Sequence, residues 1–445
     1  MASKDGGAEL VGMEQVSVDD QIDEHFELLS GFLRVFGERA ESLVDYHRTG
    51  VDKATIRRHL ANVQAEVSRM RALGIQALAD VPPMLLRPDV IAAWNSTKNL
   101  RYVAGSVMMT ERFRADMSPE DRTRAHATKL VYEVLLDTLD DSIDAGPYSF
   151  QDAFELLHHC LAPLTTDSFD PAEFRDELRP RLAPEHRHLT DFLTALVAAV
   201  QRMIAGSRHG RELAVRLEGF HANWIAGEAF TMYQKDPTVD IRAFLAGCDR
   251  FPAPDADLEG IERISGWISH TAAISLIDLC FADRLLSPAA MEEHMTAWFY
   301  FDAAVTLLNN LLDPAADLDE GIANLFVIAR AKDQVMGRRR VRGWRPSLTM
   351  ADYEAFLART ATFARRVLEH ASRSGDDPTS FYPFIVLMAP IILLTDDDGT
   401  REDLVHAYLR AFAHAAAPNV PKPVGVTIPP RTRSGPIRAG RTASS

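Results

Sequence analysis

The chain has 445 residues, and its 48 Lys plus Arg stand against 63 Asp plus Glu, a formal net charge of −15. That balance speaks against a nucleic-acid binder, which needs a basic surface to displace counterions from phosphates. Hydrophobic residues at 47% and charged residues at 25% exclude bulk disorder, so the open question is where the excess acid sits.

Residues 1–20 are polar and lack the basic, apolar and small-residue sequence of a secretory signal, and they are expected to be disordered. Residues 21–417 alternate stretches of helical periodicity with short Pro, Gly, Ser or Asp breaks, and strand-like alternation is nearly absent. This predicts one large all-α domain, a helical bundle of about a dozen helices. Ser118-Pro119, Asp170-Pro171 and Ser287-Pro288 each set a capping side chain before a proline suited to the first helical turn. Gly146-Pro147 and Gly337 are stop signals. The longest apolar run, Phe381 to Leu394, is shorter than the roughly 18 residues of a membrane span and is interrupted by Pro383 and Pro390. It reads as a buried core helix, with no transmembrane segment. Residues 418–445, rich in Pro, Arg, Gly and Ser, are expected to form a disordered tail. Cys160, Cys248 and Cys280 stand far apart with no CxxC pair, which fits a reducing, cytoplasmic setting.

The most informative segment is Val131 to Asp144. Val131, Val134, Leu135 and Leu139 form an apolar stripe, while Glu133, Asp137, Asp141 and Asp144 recur every three or four residues on the other side, with Asp140 beside them. Like charges at this spacing repel, and they lie just before Gly146-Pro147, where the helix dipole is already negative. Solvent offsets that repulsion if the face is exposed; a divalent cation does so if the face lines a cavity. Mg²⁺ suits the second case, because it takes oxygen ligands from one or two carboxylates together with substrate phosphates.

A second candidate runs from Asp302 to Gly321. Asp302, Asn309 and Asp313 are spaced by seven and four residues, so oxygen donors again gather near the end of an apolar helix. Asp313-Pro314 is equally a helix start, in which Asp313 caps and Asp317 sits near the positive pole. The two roles are compatible.

Together the two segments resemble the paired acidic motifs of the all-α isoprenoid (terpene) synthase fold. Asp140-Asp141-Ser-Ile-Asp144 matches the DDxxD form, and Leu136-Asp137-Thr-Leu-Asp140-Asp141 is similar to the YLDxLxD segment of the tetraprenyl-β-curcumene synthase family of large bacterial terpene synthases. Asp313, Asp317, Gly321 and Asn324 resemble that family's DxxEDxxxG segment with its trailing asparagine. Asn309, Asp313, Asp317 and Gly321 also align with the NxxxDxxxDxxxG pattern of squalene and phytoene synthases, and Asn309-Asn310 with Asp317 look like a degenerate cyclase NSE triad.

The resemblance implies a class I, Mg²⁺-dependent terpene synthase acting on an allylic prenyl diphosphate. Asp137, Asp140, Asp141 and Asp144 would hold metal with Asn309, Asp313 and Asp317, around three ions and one diphosphate, and Asp140, Asp141 and Asp144 would be the catalytic carboxylates. It further implies that basic residues after the second motif hold the diphosphate, which directs attention to Arg330, Lys332, Arg338 and Arg339. Arg101 and Lys98 are further candidates. Aromatic faces stabilise carbocations, and Trp298, Phe299 and Phe301, just before the second motif, are the residues expected to line the pocket. Asparagine at 309 and 310, where elongating enzymes carry aspartate, favours cyclisation over chain elongation. The alternatives are a prenyltransferase of the same fold, elongating or head-to-head, and a non-catalytic helical scaffold whose acidic faces are only solvated. A homodimer is compatible with each.

Overall fold

The structure, a computed structural model, describes residues 18–43, 53–73, 97–110, 116–235, 240–258, 260–312, 314–336, 344–375, 378–393 and 400–416. The expected disordered tail, residues 418–445, and residues 1–17 lie outside the described residues. Among the described residues there is no strand, and the fold is all-α.

The helices, numbered in chain order, begin with α1 (Val18–Leu43), α2 (Lys53–Leu73) and α3 (Thr97–Thr110). Then follow α4 (Pro119–Ala145), α5 (Phe150–Leu161), α6 (Pro171–Arg181), α7 (Thr190–Ala205) and α8 (Gly210–Thr231). Short α9 (Ile241–Cys248) and α10 (Ile261–Ser265) lead to α11 (Thr271–Phe281) and α12 (Pro288–Asn309). After three more short helices, α13 (Pro314–Glu320), α14 (Leu325–Arg330) and α15 (Lys332–Met336), the chain ends in α16 (Met350–Arg373), α17 (Pro378–Leu393) and α18 (Thr400–Ala416). The number exceeds the expected dozen because the short helices interrupt what reads as continuous periodicity.

The starts follow local chemistry. Ser118 Oγ accepts from Asp121 N at 3.0 Å, Asp170 Oδ1 from Ala172 N at 2.8 Å, and Ser287 Oγ from Ala290 N at 3.3 Å. In each case a proline fills the first turn, where its missing N–H costs nothing. Gly146 closes α4, its N–H donating to Ser142 O.

Packing then sorts the faces. Helix α12 runs along α16, and α16 along α18, while α4 packs on α7 and α11, and α8 on α5 and α11. Tyr132, Trp298, Phe244 and Phe326 are fully buried, each stabilising the fold by about 2 kcal/mol through lost contact with water. In α17, Ile385 to Leu393 are buried as expected of a core helix, and among the described residues no helix is long and apolar enough to cross a membrane.

One buried ion pair ties three helices. Lys129 Nζ on α4 lies 2.9 Å from Asp278 Oδ1 on α11 and donates to Ser106 O at 2.8 Å and to Thr110 Oγ1 on α3. Both side chains are inaccessible to solvent. Burial lowers the Lys129 pKa, and Asp278 opposes that fall. Removing one member of such a pair strands the other charge, so Lys129→Met is expected to destabilise the protein by about 3–5 kcal/mol in urea unfolding at pH 7.

His59 on α2 and His221 on α8 are buried, and burial pushes the pKa of each down to about 4. A histidine whose folded pKa lies below its unfolded value contributes stability that is full above pH 6.5 and is lost as pH falls toward 4. Each is worth up to about 3 kcal/mol over that window. His59→Leu is therefore expected to lose less stability between pH 6.5 and 4.5 than the parent chain, as read from urea midpoints at each pH.

Candidate functional site

The ends of α4 and α12 meet at a cavity of about 210 Å³ that is walled also by α3, α8 and α17. Asp137 and Asp140 of α4 line it, with Asn309 and Asn310 of the second segment and Glu228 of α8. Its apolar wall is made by Met109, Leu136, Phe301, Val305, Met388 and Ile391. Polar oxygens and an apolar chamber thus share one enclosure.

Helix phase decides which carboxylates enter. At about 100° per residue, Glu133, Asp137, Asp140 and Asp144 fall within an arc of about 60°, whereas Asp141 lies about 40° beyond its edge. Glu133, Asp137 and Asp140 accordingly line the cavity. Asp144 is half-buried next to Glu228, and Asp141 is exposed and does not line the cavity.

The second segment is divided. Asn309 and Asn310 line the cavity, and Asp313 lies outside the described residues. Asp317, in the short α13, is half-buried and accepts from Asn324 Nδ2 at 2.7 Å. Asn324, fully buried, also donates to Asn310 O at 2.9 Å, while its Oδ1 accepts from Val327 N at 2.9 Å and caps α14. One amide therefore fixes the end of α12 to α13 and α14. Asp302 turns away from this group: it accepts from Thr271 N at 3.0 Å, from Thr271 Oγ1, and from Ala272 N at 3.1 Å, capping α11. Burial raises its pKa to about 7 against the pull of those donors.

Of the basic segment after the second motif, the two described arginines are engaged outside the cavity. Arg330 binds Asp352 at the start of α16, with its Nη2 3.2 Å from Oδ1, and Arg345 binds Asp319 at 2.7 Å on the surface. The side chain of Lys332, and Arg338 and Arg339 entirely, lie outside the described residues, as does the side chain of Lys98. The guanidinium in the cavity is that of Arg101 on α3. It is 9% exposed, stacks over the Tyr102 ring at 4.8 Å, and donates to Tyr102 Oη at 3.1 Å and Ile392 O at 3.5 Å. Its Nε has no hydrogen-bond partner, and no carboxylate among the described residues pairs with it. Of the aromatics, Phe301 and Trp224 line the cavity, while Trp298 is fully buried behind Phe301, ring centroids 5.1 Å apart.

Glu228 is the residue that motif reading missed. Burial, then Asp140 and Asp144 opposite, raise its pKa well above the carboxylate range. Its Oε2 is buried and has no hydrogen-bond partner. The signal was in the sequence: Leu217, His221, Trp224 and Glu228 follow each other at three- and four-residue steps on the buried stripe of α8, and an acid on such a stripe needs a cause. Next to it, Gly227 admits no side chain, since a Cβ there would stand 2.6 Å from Trp267 O.

The donor set fits Mg²⁺. It consists of carboxylate and amide oxygens, and the bare Glu228 Oε2 sits among negative neighbours that a cation would relieve. Among the described residues no group of three His, Cys, Asp or Glu side chains is placed to hold an ion by itself. Asn324→Ala is expected to lower stability by about 2–3 kcal/mol, since it strands Val327 N–H and the Asn310 carbonyl; thermal unfolding checks this. No protein-family model matches the chain, and a search of curated proteins likewise finds no match.

Proposed function

We propose that the chain is a class I isoprenoid synthase that ionises an allylic prenyl diphosphate and guides the resulting carbocation through cyclisation. What carries the reading is the union, in one cavity, of Asp137 and Asp140 with Asn309 and Asn310 above an apolar chamber. A solvated acidic face would not need an enclosure, a buried arginine or a buried carboxylate on a third helix.

Asp137, Asp140 and Glu228 would hold Mg²⁺ with the amide oxygen of Asn309, while the Asn310 amide oxygen accepts from Leu325 N. When bound there, Mg²⁺ would supply Lewis acidity that stabilises the negative charge of a diphosphate leaving group. Arg101 offers a planar fork, pre-set by the Tyr102 ring, that matches two phosphate oxygens. Asn309 adds an oxygen donor without adding charge, so the mouth is less negative than one built from aspartates alone. The rings of Trp224 and Phe301 can stabilise positive charge. Met109, Leu136, Val305, Met388 and Ile391 exclude water and fold the chain on itself.

Purified protein given allylic diphosphates of increasing length with Mg²⁺ is expected to release diphosphate and form hydrocarbon, and EDTA is expected to abolish both. Asp140→Asn should lower kcat about 10²-fold or more, the range for removing an electrostatic group at a reacting centre, with helical content unchanged. Arg101→Met should raise KM about tenfold, as for the loss of a charged hydrogen bond. Diphosphate release that survives Asp137→Asn combined with Asp140→Asn would sink the proposal.

A further inference from the structure

One polar pair in the cavity wall has no part in holding diphosphate. His270, the residue before α11, and Glu133 on α4 both line the cavity, with His270 Nε2 2.6 Å from Glu133 Oε2. Their side chains remain 23% and 14% exposed. The other buried pair on α4, Lys129 with Asp278, differs in kind: it is fully enclosed, and the ammonium is saturated by Asp278, Ser106 and Thr110. The imidazole of His270 is bonded through one nitrogen only, and among the described residues Nδ1 has no hydrogen-bond partner.

The place of the pair along α4 fits a role in the hydrocarbon rather than the phosphate region. Glu133 precedes Asp137 by one helical turn and Asp140 by two, which at 1.5 Å per residue is about 6 and about 10 Å deeper along the axis. Aromatic rings flank the imidazole there: Tyr132 at 6.3 Å and Trp224 at 6.4 Å, both edge-on. Its backbone is held on both sides, by Asp302 on the first amides of α11 and by Trp224 Nε1 donating to Ile268 O at 2.7 Å. A rigid imidazole with one free nitrogen, beside the space for a carbocation, has the requirements of a general base.

We propose that His270 is the catalytic base that ends the reaction, with Glu133 as its positioning partner; this rests on the isoprenoid-synthase reading. With Nε2–H donating to Glu133, the lone pair is on Nδ1. Nδ1 takes a proton from the carbon next to the cationic centre. The C–H bond breaks, its electron pair becomes the new C=C bond, and the cation is quenched as an olefin. The positive charge passes to the imidazolium, which the Glu133 carboxylate stabilises. Burial alone would weaken His270 as a base, but Glu133, with Asp302 and Asp140, outweighs it and raises the pKa.

The test compares the full chain with His270→Gln and Glu133→Gln, each incubated with Mg²⁺ and the allylic diphosphate that the parent turns over. Released diphosphate is measured together with the identity of every terpenoid product. Per diphosphate released, the parent's olefin is expected to fall at least tenfold in His270→Gln, replaced by alcohols from water capture or by double-bond isomers. Glu133→Gln, which keeps shape and loses charge, should shift the products the same way by a smaller factor. Circular dichroism checks folding, and either variant alone suffices if the other does not fold. Unchanged products per diphosphate in a folded variant overturn the base and leave the isoprenoid-synthase reading standing. Absence of diphosphate release by the parent with every allylic diphosphate overturns both.

Discussion

A carboxylate cannot be taken out of water without something to answer its charge, and the arrangement of this protein follows from how that demand is met along α4. Its outer stripe, Val131, Leu135 and Leu139, is buried in the core. Its inner stripe carries Glu133, Asp137, Asp140 and Asp144 and therefore cannot be packed dry. The neighbouring helices stand off that stripe, and the space they leave is the cavity. Elsewhere buried acid meets donors: Asp278 meets Lys129, Asp302 meets the first amides of α11, which only partly offset its burial, and Glu66 meets Arg69 and His126, which outweigh burial and hold its carboxyl below the usual range. At the mouth, Glu228 faces Asp140 and Asp144 instead. Part of the acid that the composition reports as a bulk excess lies at this cavity, in Glu133, Asp137, Asp140 and Glu228.

Three of the polar joints along helix α4 differ in kind. Lys129 reaches Asp278 within α11, Glu133 reaches His270 just before α11, and Asp140 faces Glu228 on α8. The lowest joint is saturated and structural. The middle one keeps a nitrogen available. The highest gathers acids beside one another. The joints thus run from closed to open polar chemistry along one helix.

The helices were legible from the sequence because caps, prolines and apolar periodicity act over a few residues, as Ser118, Asp170 and Ser287 show. The candidate site was legible in part. Residue type and approximate face at Asp137, Asp140, Asn309 and Asn310 were visible, but phase was not resolved finely enough to turn Asp141 outward. Arg330 and Arg345 were visible as charge, while their choice of Asp352 and Asp319 depends on how α14 and the segment before α16 fold back. Arg101 was visible as a candidate charge, but its place in the cavity, like the whole setting of His270, comes from helices distant in the chain. Glu228 lies between these cases: its place on an apolar stripe was readable, its neighbours Asp140 and Asp144 were not.

Close backbone approach at Gly227 has a meaning beyond packing. Where side chains set the spacing between two elements, rotamer changes let the gap breathe and a range of guests can be admitted. Here α8 touches the peptide of Trp267 with no side chain between them, and Trp267 stands in the loop that carries His270. The separation between Glu228 and that loop is then a fixed gauge, set by van der Waals contact of main chain with main chain. A guest must conform to it, and selection among guests becomes a matter of shape tolerance rather than of chemical attraction.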